Sequence, residues 1–472
     1  MSNHGSDGDR TNLSRRSFLR NAGLALGGSA ALGGIPGWLQ NAAHAGGSEG
    51  LEKTDLTLGF IPLTDCAPIV IAYEKGYFKK HGLNVRPSQE ASWGNIRDKV
   101  TVGELDGAHM LAGMPIASSL GVGATEKPTI TAFSMDLNGN GITVSNALYD
   151  RMVEADPEAM EERPITARAL KKVIEDDKAN GRPPLTFAQV FPVSTHNYEL
   201  RYWMAAAGID PDNDVRLIVV PPPQMVANLR SGNMDGYCVG EPWNMRAVHM
   251  GIGKVLITNY EIWNNNPEKV LGVTEEWADK HPNTHRAMLR ALIEANQWMD
   301  QPENREEVVS IISRRSYVNA PEDIVAMSMT GTLQFTPDGE PREFPDFNVF
   351  YRYAATYPWR SHAAWFITQM IRWGQLDRAI DIHKAADSIY RPELYREAAR
   401  DLGIAYPTVD YKPEGVHEGD WTLTDASEPI TMGPDLFLDG MKYDPENLMA
   451  YLEGFRVHNR RVELADLSGL NG

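Results

Sequence analysis

Cysteine is scarce in this 472-residue chain, which contains only Cys66 and Cys238. Two cysteines cannot build a disulfide-rich scaffold, and no Cys-x-x-Cys spacing indicates a zinc site. His281 and His285 are separated by a segment that begins with Pro282, which spoils the helical i,i+4 geometry of a metal-ligating pair. We therefore predict no metal or other cofactor. The two thiols are predicted to be buried and unpaired, one in each half of the fold, with a disulfide between them as the alternative.

Further absences narrow the possible functions. The run Gly251-Ile-Gly-Lys254 lacks the spacing and the Ser or Thr of a phosphate-binding loop, which excludes an ATPase. Because no Gly-x-Ser-x-Gly elbow or other nucleophile–base–orienter set stands out, we predict that the chain is not an enzyme. Basic residues are outnumbered, with 45 Lys and Arg against 63 Asp and Glu. Such a surface repels nucleic acid, although it does not prevent a small anion from binding to donors in a cleft.

The N-terminus contains the three parts of an export signal in the right order. Ser14-Arg-Arg-Ser-Phe-Leu-Arg20 matches a twin-arginine motif, residues 21–39 are weakly apolar, and Ala43-His-Ala45 fits a cleavage site. We predict that residues 1–45 are a signal peptide cleaved after Ala45, and that the folded mature protein is periplasmic. Beyond this signal no apolar run reaches ~18 residues, so no membrane-spanning helix is expected.

A short pattern occurs twice in the mature chain. Leu105-Asp-Gly107 and Met234-Asp-Gly236 each follow a helix-like run that ends at a glycine, and each leads into a short apolar run. Glycine ends a helix because it tolerates positive φ, and Asp-Gly turns the chain into the next strand. A helix–turn–strand unit used twice predicts two similar α/β lobes with a ligand between them.

The fold class is therefore α/β, with two lobes, a hinge, an interlobe cleft and a helical C-terminal extension. We place the first part of lobe I at residues 52–136 and lobe II at 137–256, because turn formers near 136–141 indicate a crossing between lobes. Residues 257–407 are predicted to return to lobe I as a mainly helical segment, and 408–472 to wrap around the body.

Six residues lie where α/β sheets bind ligands, just past strand ends and at helix starts, or near a crossing. They are Trp93, Asn140, His196, Gly240, Glu241 and Lys269. His196 is predicted in the first turn of a capped helix, where free N–H groups favour an anion. Taken alone, Trp93 and the nearby Trp243 could be packing aromatics, and His196 a hydrogen-bonded histidine. Lys269 could be a surface lysine, and Glu241 a residue that favours the N-terminus of its helix.

At these positions the chain resembles the nitrate- and bicarbonate-binding proteins of ABC importers, the NrtA/CmpA type. The resemblance runs from about residue 55 to 451 and rests on the order in which its motifs occur, since each motif alone is only moderately specific. They are Leu63-Thr-Asp-Cys-Ala-Pro68, Glu74-Lys-Gly-Tyr-Phe78, Ser92-Trp-Gly-Asn-Ile-Arg-Asp-Lys99, Leu105-Asp-Gly-Ala-His-Met110, Asp136-Leu-Asn-Gly139, Ser194-Thr-His-Asn-Tyr198, Gly240-Glu-Pro-Trp-Asn244, Asn266-Pro-Glu-Lys269, Ser361-His362, Trp365-Phe366 and Tyr390-Arg-Pro-Glu-Leu-Tyr395.

The resemblance implies a type II periplasmic binding protein that closes over one small planar oxyanion. Positions matching Trp93, His196, Gly240, Glu241 and Lys269 line the pocket in that family. Lysine at 269 is typical of the nitrate type, whereas the bicarbonate type has an acidic residue there that acts with calcium. Asn140 departs from the family, which usually has glutamine. The implied function is that of a monomer that carries nitrate, or nitrite, to an ABC permease and its ATPase.

Three alternatives remain open at this point. The ligand could be bicarbonate, a sulfonate or a pyrimidine, since the shorter amide of Asn140 could reach an anion only through water or could enlarge the pocket. The protein could be a periplasmic sensor of the same anion that docks on a signalling protein. A hydrolase on this scaffold is the third alternative, and turnover of a substrate would be required to support it.

Overall fold

The computed structural model describes residues 50–471, so the predicted signal peptide and its cleavage site lie outside the described residues. Fifteen strands occur in this range: β1 (Asp55–Phe60), β2 (Asn84–Gln89), β3 (Gly107–Leu111), β4 (Thr129–Asn138), β5 (Asn140–Ser145), β6 (Thr186–Gln189), β7 (Arg216–Val219), β8 (Gly236–Gly240), β9 (Gly253–Thr258), β10 (Pro267–Thr274), β11 (Thr332–Leu333), β12 (Arg342–Glu343), β13 (Asn348–Val349), β14 (Trp421–Leu423) and β15 (Ile430–Met432).

The helices of the described range lie around these strands. In chain order they are α1 (Ala67–Glu74), α2 (Tyr77–Lys80), α3 (Trp93–Thr101), α4 (Gly113–Leu120), α5 (Asn146–Ala155), α6 (Pro157–Glu161), α7 (Arg168–Ala179), α8 (Thr195–Ala206), α9 (Met225–Arg230), α10 (Trp243–His249), α11 (Asn259–Ile262), α12 (Glu275–Lys280), α13 (Pro282–Met299), α14 (Arg305–Ile312), α15 (Glu322–Thr330), α16 (Arg360–Arg372), α17 (Ile382–Ile389), α18 (Pro392–Leu402), α19 (Leu448–Glu453) and α20 (Leu464–Asn471), with short 3-10 turns at Thr64–Cys66, Pro222–Gln224 and Pro302–Asn304. None of these helices is both long and apolar enough to cross a membrane.

Two sheets form the cores of two lobes. The first has the order β13-β4-β10-β3-β1-β2, and the second has the order β7-β6-β8-β5-β9. In each, a first strand pairs in parallel with the next two, β1 with β2 and β3, and β6 with β7 and β8. In each, a strand entering from the other lobe then runs antiparallel, β10 beside β3 and β5 beside β8. The prediction of two similar α/β lobes is confirmed.

The repeated Asp-Gly turn occupies the same place in both sheets. Asp106 Oδ2 accepts a hydrogen bond from the Thr57 N–H at 2.9 Å, and Asp235 Oδ2 accepts one from the Thr186 N–H at 2.7 Å. Each carboxylate therefore ties the start of its strand, β3 or β8, to the neighbouring parallel strand. The sequence repeat thus corresponds to a repeated structural contact.

Strand β10 differs from the prediction, which gave residues 257–407 as a mainly helical segment that returns to lobe I. All eight residues of Pro267–Thr274 are buried, and the strand lies between β3 and β4 in the first sheet. A strand covered on both faces lacks the alternation of apolar and polar residues that identifies a half-exposed strand. Here Glu268 and Lys269 also interrupt the apolar run. The helices predicted beyond it are present, including α13 and α16.

Asparagines connect the two crossings between the sheets. The chain passes from β4 to β5 at Gly139, whose φ is +96°. The side-chain oxygen of Asn138 accepts from the Asn266 main-chain N–H at 3.2 Å, and Asn259 accepts from the Asn140 N–H at 3.0 Å. Because Asn259 and Asn266 lie between β9 and β10, these bonds join the outgoing and returning crossings into one hinge.

The remaining sequence features agree with this packing. Cys66 and Cys238 are both buried and unpaired, as predicted. The C-terminal segment contacts elements of both lobes. Asp439 accepts a hydrogen bond from Tyr202 Oη on α8 at 2.7 Å, and Glu414 lies 3.0 Å from His362 Nε2 on α16. The exact limits of the four segments remain predictions.

Candidate functional site

Lys269 lies in the centre of the first sheet and not on the surface. Its main-chain N–H donates to Asp136 Oδ1 at 3.0 Å, and its side chain is fully buried. The ammonium nitrogen is 2.6 Å from Asp65 Oδ2 and also contacts the Glu268 carboxyl. A buried ammonium group is stable only where such partners offset its loss of hydration. Lys269 is therefore the cationic centre of a polar cluster inside the protein.

The carboxyl groups around Lys269 differ in their protonation. Burial alone would raise the pKa of Asp65, but Lys269 and His109 outweigh it and lower that pKa. Burial likewise opposes the charge of Lys269, yet the nearby carboxylates, Asp65 foremost, raise its pKa. For Asp136 burial dominates and raises the pKa well above its ordinary value. Lys269 and Asp65 thus form a charged pair beside a carboxylic acid.

Trp93 faces this pair from the start of α3. Ser92 Oγ accepts the Asn95 N–H at 3.2 Å, so the predicted cap places Trp93 at the first position of its helix. The Lys269 nitrogen lies 5.6 Å from the centre of the indole, and the ring of His109 lies 5.2 Å from it. The indole Nε1 is buried and has no hydrogen-bond partner in residues 50–471. A buried donor without a partner within the protein is available to a ligand.

His196 reaches the cluster from lobe II. Ser194 Oγ accepts the Asn197 N–H at 3.0 Å and caps α8, as predicted. His196 Nε2 is 3.4 Å from Glu268 Oε1, outside hydrogen-bond geometry, and neither ring nitrogen has a partner among the described residues. Burial lowers the pKa of His196 to about 4, although Glu268 partly offsets that effect. The imidazole of the structure is therefore neutral at physiological pH.

Gly240 and Asn140 form the lobe II wall of the same space. They are paired residues in β8 and β5. A Cβ at Gly240 would lie 3.3 Å from Asn140 Oδ1 and 3.5 Å from Asp65 Oδ2, so glycine leaves room for polar groups to converge. Asn140 Nδ2 donates to Glu199 Oε2 at 3.3 Å, and burial raises the pKa of Glu199 well above its ordinary value. Asn140 Oδ1 has no partner within the described range.

Glu241 belongs to the wall through its main chain. Its side chain turns back to its own helix, where Oε2 accepts the Met245 N–H at 3.1 Å. Its carbonyl oxygen accepts the Thr64 N–H of lobe I at 2.8 Å. The structure thus brings five of the six candidates around one space, and it places the Glu241 carboxyl at the start of α10.

Replacing Glu241 with glutamine is expected to stabilise the protein above neutral pH. Burial raises the pKa of Glu241 to about 7 from the ordinary 4.5. The folded protein then holds this proton more tightly than the unfolded chain, so stability falls as pH rises from about 4.5 to 7. This difference corresponds to roughly 3 kcal/mol. Urea unfolding at pH 5 and pH 8 tests it, and an equal effect of Glu241→Gln at both values would contradict it.

The two lobes are in contact over this space. Besides the bond between Thr64 and Glu241, the indole Nε1 of Trp243 donates to the Pro62 carbonyl at 3.2 Å. A Cβ on Gly113 in lobe I would lie only 2.2 Å from the Val193 carbonyl oxygen in lobe II. A groove of about 680 Å³ lies beside the Pro62–Trp243 contact and is lined by residues of both lobes, among them Gln89 of lobe I and Gln224 of lobe II.

Five functional groups of the cluster were not among the predicted site residues. They are Asp65, His109, Asp136, Glu199 and Glu268. Asp65, His109, Asp136 and Glu268 lie inside motifs that carry the family resemblance, and Glu199 follows His196 by three residues, which places both on one helix face. The strand pattern alone would not place Glu268 beside Lys269. Neighbours in a regular strand point to opposite faces, but register shifts around residues 267–270 bring Glu268 and Lys269 to the same space.

The arrangement suits recognition of a small anion. It offers a buried ammonium group, an indole N–H and an imidazole within one closed space, with an aromatic face beside the ammonium. Such donors, and the charged ammonium above all, bind acceptor-only ligands strongly in a site that excludes water. Among residues 50–471 no group of three or more His, Cys, Asp or Glu side chains is arranged to hold a metal ion.

Residues 49–313 match the model of the NMT1-like family. The nitrate/nitrite binding protein NrtA of Synechocystis sp. is 37% identical over 422 residues, which cover 87% of each chain. The nitrate import ATP-binding protein NrtC of the same organism is 40% identical over 427 residues, or 90% of this chain, but the chain spans only 58% of that protein's length. The crystal structure of the periplasmic nitrate-binding protein NrtA from Synechocystis PCC 6803 superposes with a TM-score of 0.75 at 35% identity, covering 86% of this chain and 100% of that one.

Proposed function

The chain belongs to the NMT1-like family, together with the nitrate/nitrite-binding protein NrtA, and on that basis we propose that it binds nitrate, or nitrite, for an ABC importer. The resemblance stated from the sequence motifs is confirmed by these relatives. The predicted periplasmic-binding-protein fold is also confirmed, since a periplasmic binding protein superposes over most of the chain. Within this proposal the ligand lies between the lobes and is released to a membrane permease.

One observation carries the proposal. The Trp93 indole nitrogen and both His196 ring nitrogens are buried without partners in the part of the chain that the structure describes, beside the ammonium of Lys269. Burying these groups is costly unless something accepts their hydrogen bonds. Nitrate is a planar ion that only accepts hydrogen bonds. It would accept hydrogen bonds from the indole N–H, the ammonium group and the imidazole.

Bicarbonate is the second candidate, because acceptors without partners also line the space. Glu268 Oε2, Glu199 Oε1 and Asn140 Oδ1 are buried and unpartnered in residues 50–471. Bicarbonate carries an O–H that could donate to one of them, whereas nitrate has none. Lys269 favours nitrate, since the resemblance associates the bicarbonate type with an acidic residue there and with calcium.

The cellular role follows from the same proposal. The similarity to a nitrate import ATP-binding protein links the chain to an ATP-driven importer. The predicted twin-arginine signal would deliver a folded protein to the periplasm, where such a binding protein meets its permease. The protein would act without catalysing a reaction. A permease gene and an ATPase gene beside this one would support transport, and a histidine kinase gene would support sensing.

Calorimetric titration with sodium nitrate and with sodium bicarbonate tests the ligand. We expect nitrate to bind in the presence of EDTA and to quench tryptophan fluorescence. Bicarbonate binding that requires calcium, with no binding of nitrate, would contradict the proposal. Trp93→Phe keeps the aromatic ring but removes its N–H, so nitrate affinity should fall by roughly 10-fold or more. Trp298→Phe, which alters a partly buried tryptophan in the helical segment, is the matched control.

A further inference from the structure

The polar space contains more acidic than basic groups. Asp65, Asp136, Glu199 and Glu268 are all buried there, and Lys269 is the one buried lysine among them. Burial raises the pKa of Asp136 and of Glu199 and so favours their protonated forms, whereas Lys269 and His109 lower the pKa of Asp65, and the Glu268 carboxyl contacts the same ammonium. An anion enclosed here would add negative charge to a site whose single cation already has acidic partners. Uncompensated buried charge costs several kcal/mol, so something must balance the anion.

His196 is placed to provide that balance. Its Nε2 lies 3.4 Å from Glu268 Oε1, and its Nδ1 has no partner within residues 50–471. A neutral imidazole has one N–H and one lone pair, whereas an imidazolium has two N–H donors. With a carboxylate on one side and an acceptor-only anion on the other, a neutral ring would present its lone pair to one of them. Only the imidazolium can donate to both.

We propose that a proton binds together with the anion and resides on His196, which then donates one N–H to Glu268 and the other to the anion. The proton comes from solvent and no covalent bond of the ligand is made or broken. This inference rests on the proposed function, because it requires a ligand that carries no hydrogen of its own. The anion and the proton enter as a neutral pair, so the charge of the closed site does not change.

The titratable groups of the cluster around His196 come from several elements. Glu268 and Lys269 lie on β10, Asp65 on the 3-10 turn after β1, His109 on β3, Asp136 on β4, Glu199 on α8 and Cys238 on β8. Glu268 and Asp65 favour the imidazolium, and Lys269 opposes it. In the structure burial prevails and His196 is neutral, with its pKa lowered to about 4. A bound anion adds a negative charge and therefore raises that pKa.

The sign of the pH dependence follows directly. At pH values above the pKa of His196 in the free protein and below its pKa in the nitrate complex, each bound anion takes up one proton. Nitrate affinity should therefore fall about tenfold for each unit of pH increase within this window. A site without coupled protonation would show constant affinity over the same range.

Calorimetry measures the proton directly. Titration of the mature protein with sodium nitrate in two buffers of low and high ionisation enthalpy, between about pH 6.5 and 8.5, separates proton uptake from the heat of binding. We expect uptake of about one proton per nitrate and a dissociation constant that increases with pH. Nitrate binding with equal heats in both buffers and a constant dissociation constant would overturn the inference while leaving the proposed function intact. Absence of nitrate binding at every pH would overturn both.

Two variants assign the proton to this pair. His196→Gln keeps a hydrogen-bond donor but cannot take up a proton, so its weaker nitrate binding should be independent of pH and buffer. Glu268→Gln removes the carboxylate that favours the imidazolium, so it should reduce the proton uptake even if His196→Gln fails to fold. His285→Gln is the control, because His285 is also buried with its pKa lowered to about 4 but lies on α13, where Arg391 is its charged neighbour. Uptake that persists in His196→Gln would overturn the inference.

Discussion

Replacing Lys269 with methionine should lower the free energy of unfolding by about 3–5 kcal/mol and reduce nitrate affinity by more than about 100-fold. Methionine fills a similar volume, so the effect isolates the charge. The ammonium lies 2.6 Å from Asp65 Oδ2, so without it the buried Asp65 loses its counter-ion. Guanidinium unfolding and calorimetry with nitrate measure the two effects.

The loss of stability should also depend on pH. In the absence of Lys269, burial raises the pKa of Asp65, so the folded protein is penalised at high pH and recovers as Asp65 takes up a proton. The deficit should therefore be larger at pH 8 than at pH 5. Lys280→Met is the matched control, since that lysine is 65% exposed and pairs with Glu276 on the surface. Such a pair contributes about 1 kcal/mol or less, and a similar loss in both variants would contradict the assigned role of Lys269.

Replacing Gly113 with alanine should hold the cleft open and weaken nitrate binding on the order of 100-fold. The new Cβ would lie 2.2 Å from the Val193 carbonyl oxygen, which is main chain and cannot rotate away. Because Gly113 and Val193 belong to different lobes, separation of the lobes relieves the clash with little cost to either core. The unfolding midpoint should therefore change far less than the affinity.

Small-angle scattering with and without nitrate distinguishes this outcome from a folding defect. The wild-type protein should become more compact when nitrate is added, and the Gly113→Ala protein should not. Gly94→Ala is the control, because its Cβ would meet nothing nearer than Ser92 Oγ at 3.7 Å, within its own helix start. Unchanged affinity in Gly113→Ala would show that the close approach of the lobes is not needed for binding.

The helix starts and the lobe repeat could be predicted because their causes are local. Ser92 and Ser194 cap the helices that carry Trp93 and His196, and a cap involves only residues adjacent in sequence. The Asp-Gly turns repeat because each lobe uses the same contact between parallel strands. The two caps place Trp93 and His196 in the first turns of their helices, and both side chains lie at the candidate site.

The acidic half of the site was not among the predicted residues, because its assembly depends on contacts between distant segments. Asp65 meets Lys269 across 204 positions of sequence. Glu268 joins them because of the register shifts in β10, and residue types alone do not predict such an irregularity. The prediction for Asn140 was also incomplete. Its side-chain nitrogen donates to Glu199, so only its side-chain oxygen is available to a ligand.

The closing contact between Thr64 and Glu241 joins a main-chain N–H to a main-chain carbonyl. No substitution of either side chain deletes these two atoms, apart from proline at position 64. Selection can therefore exchange the pocket side chains, and with them the ligand, while the lobes retain this bond. Ligand specificity can therefore evolve without a new contact between the lobes. A closing contact formed by side chains would not allow this.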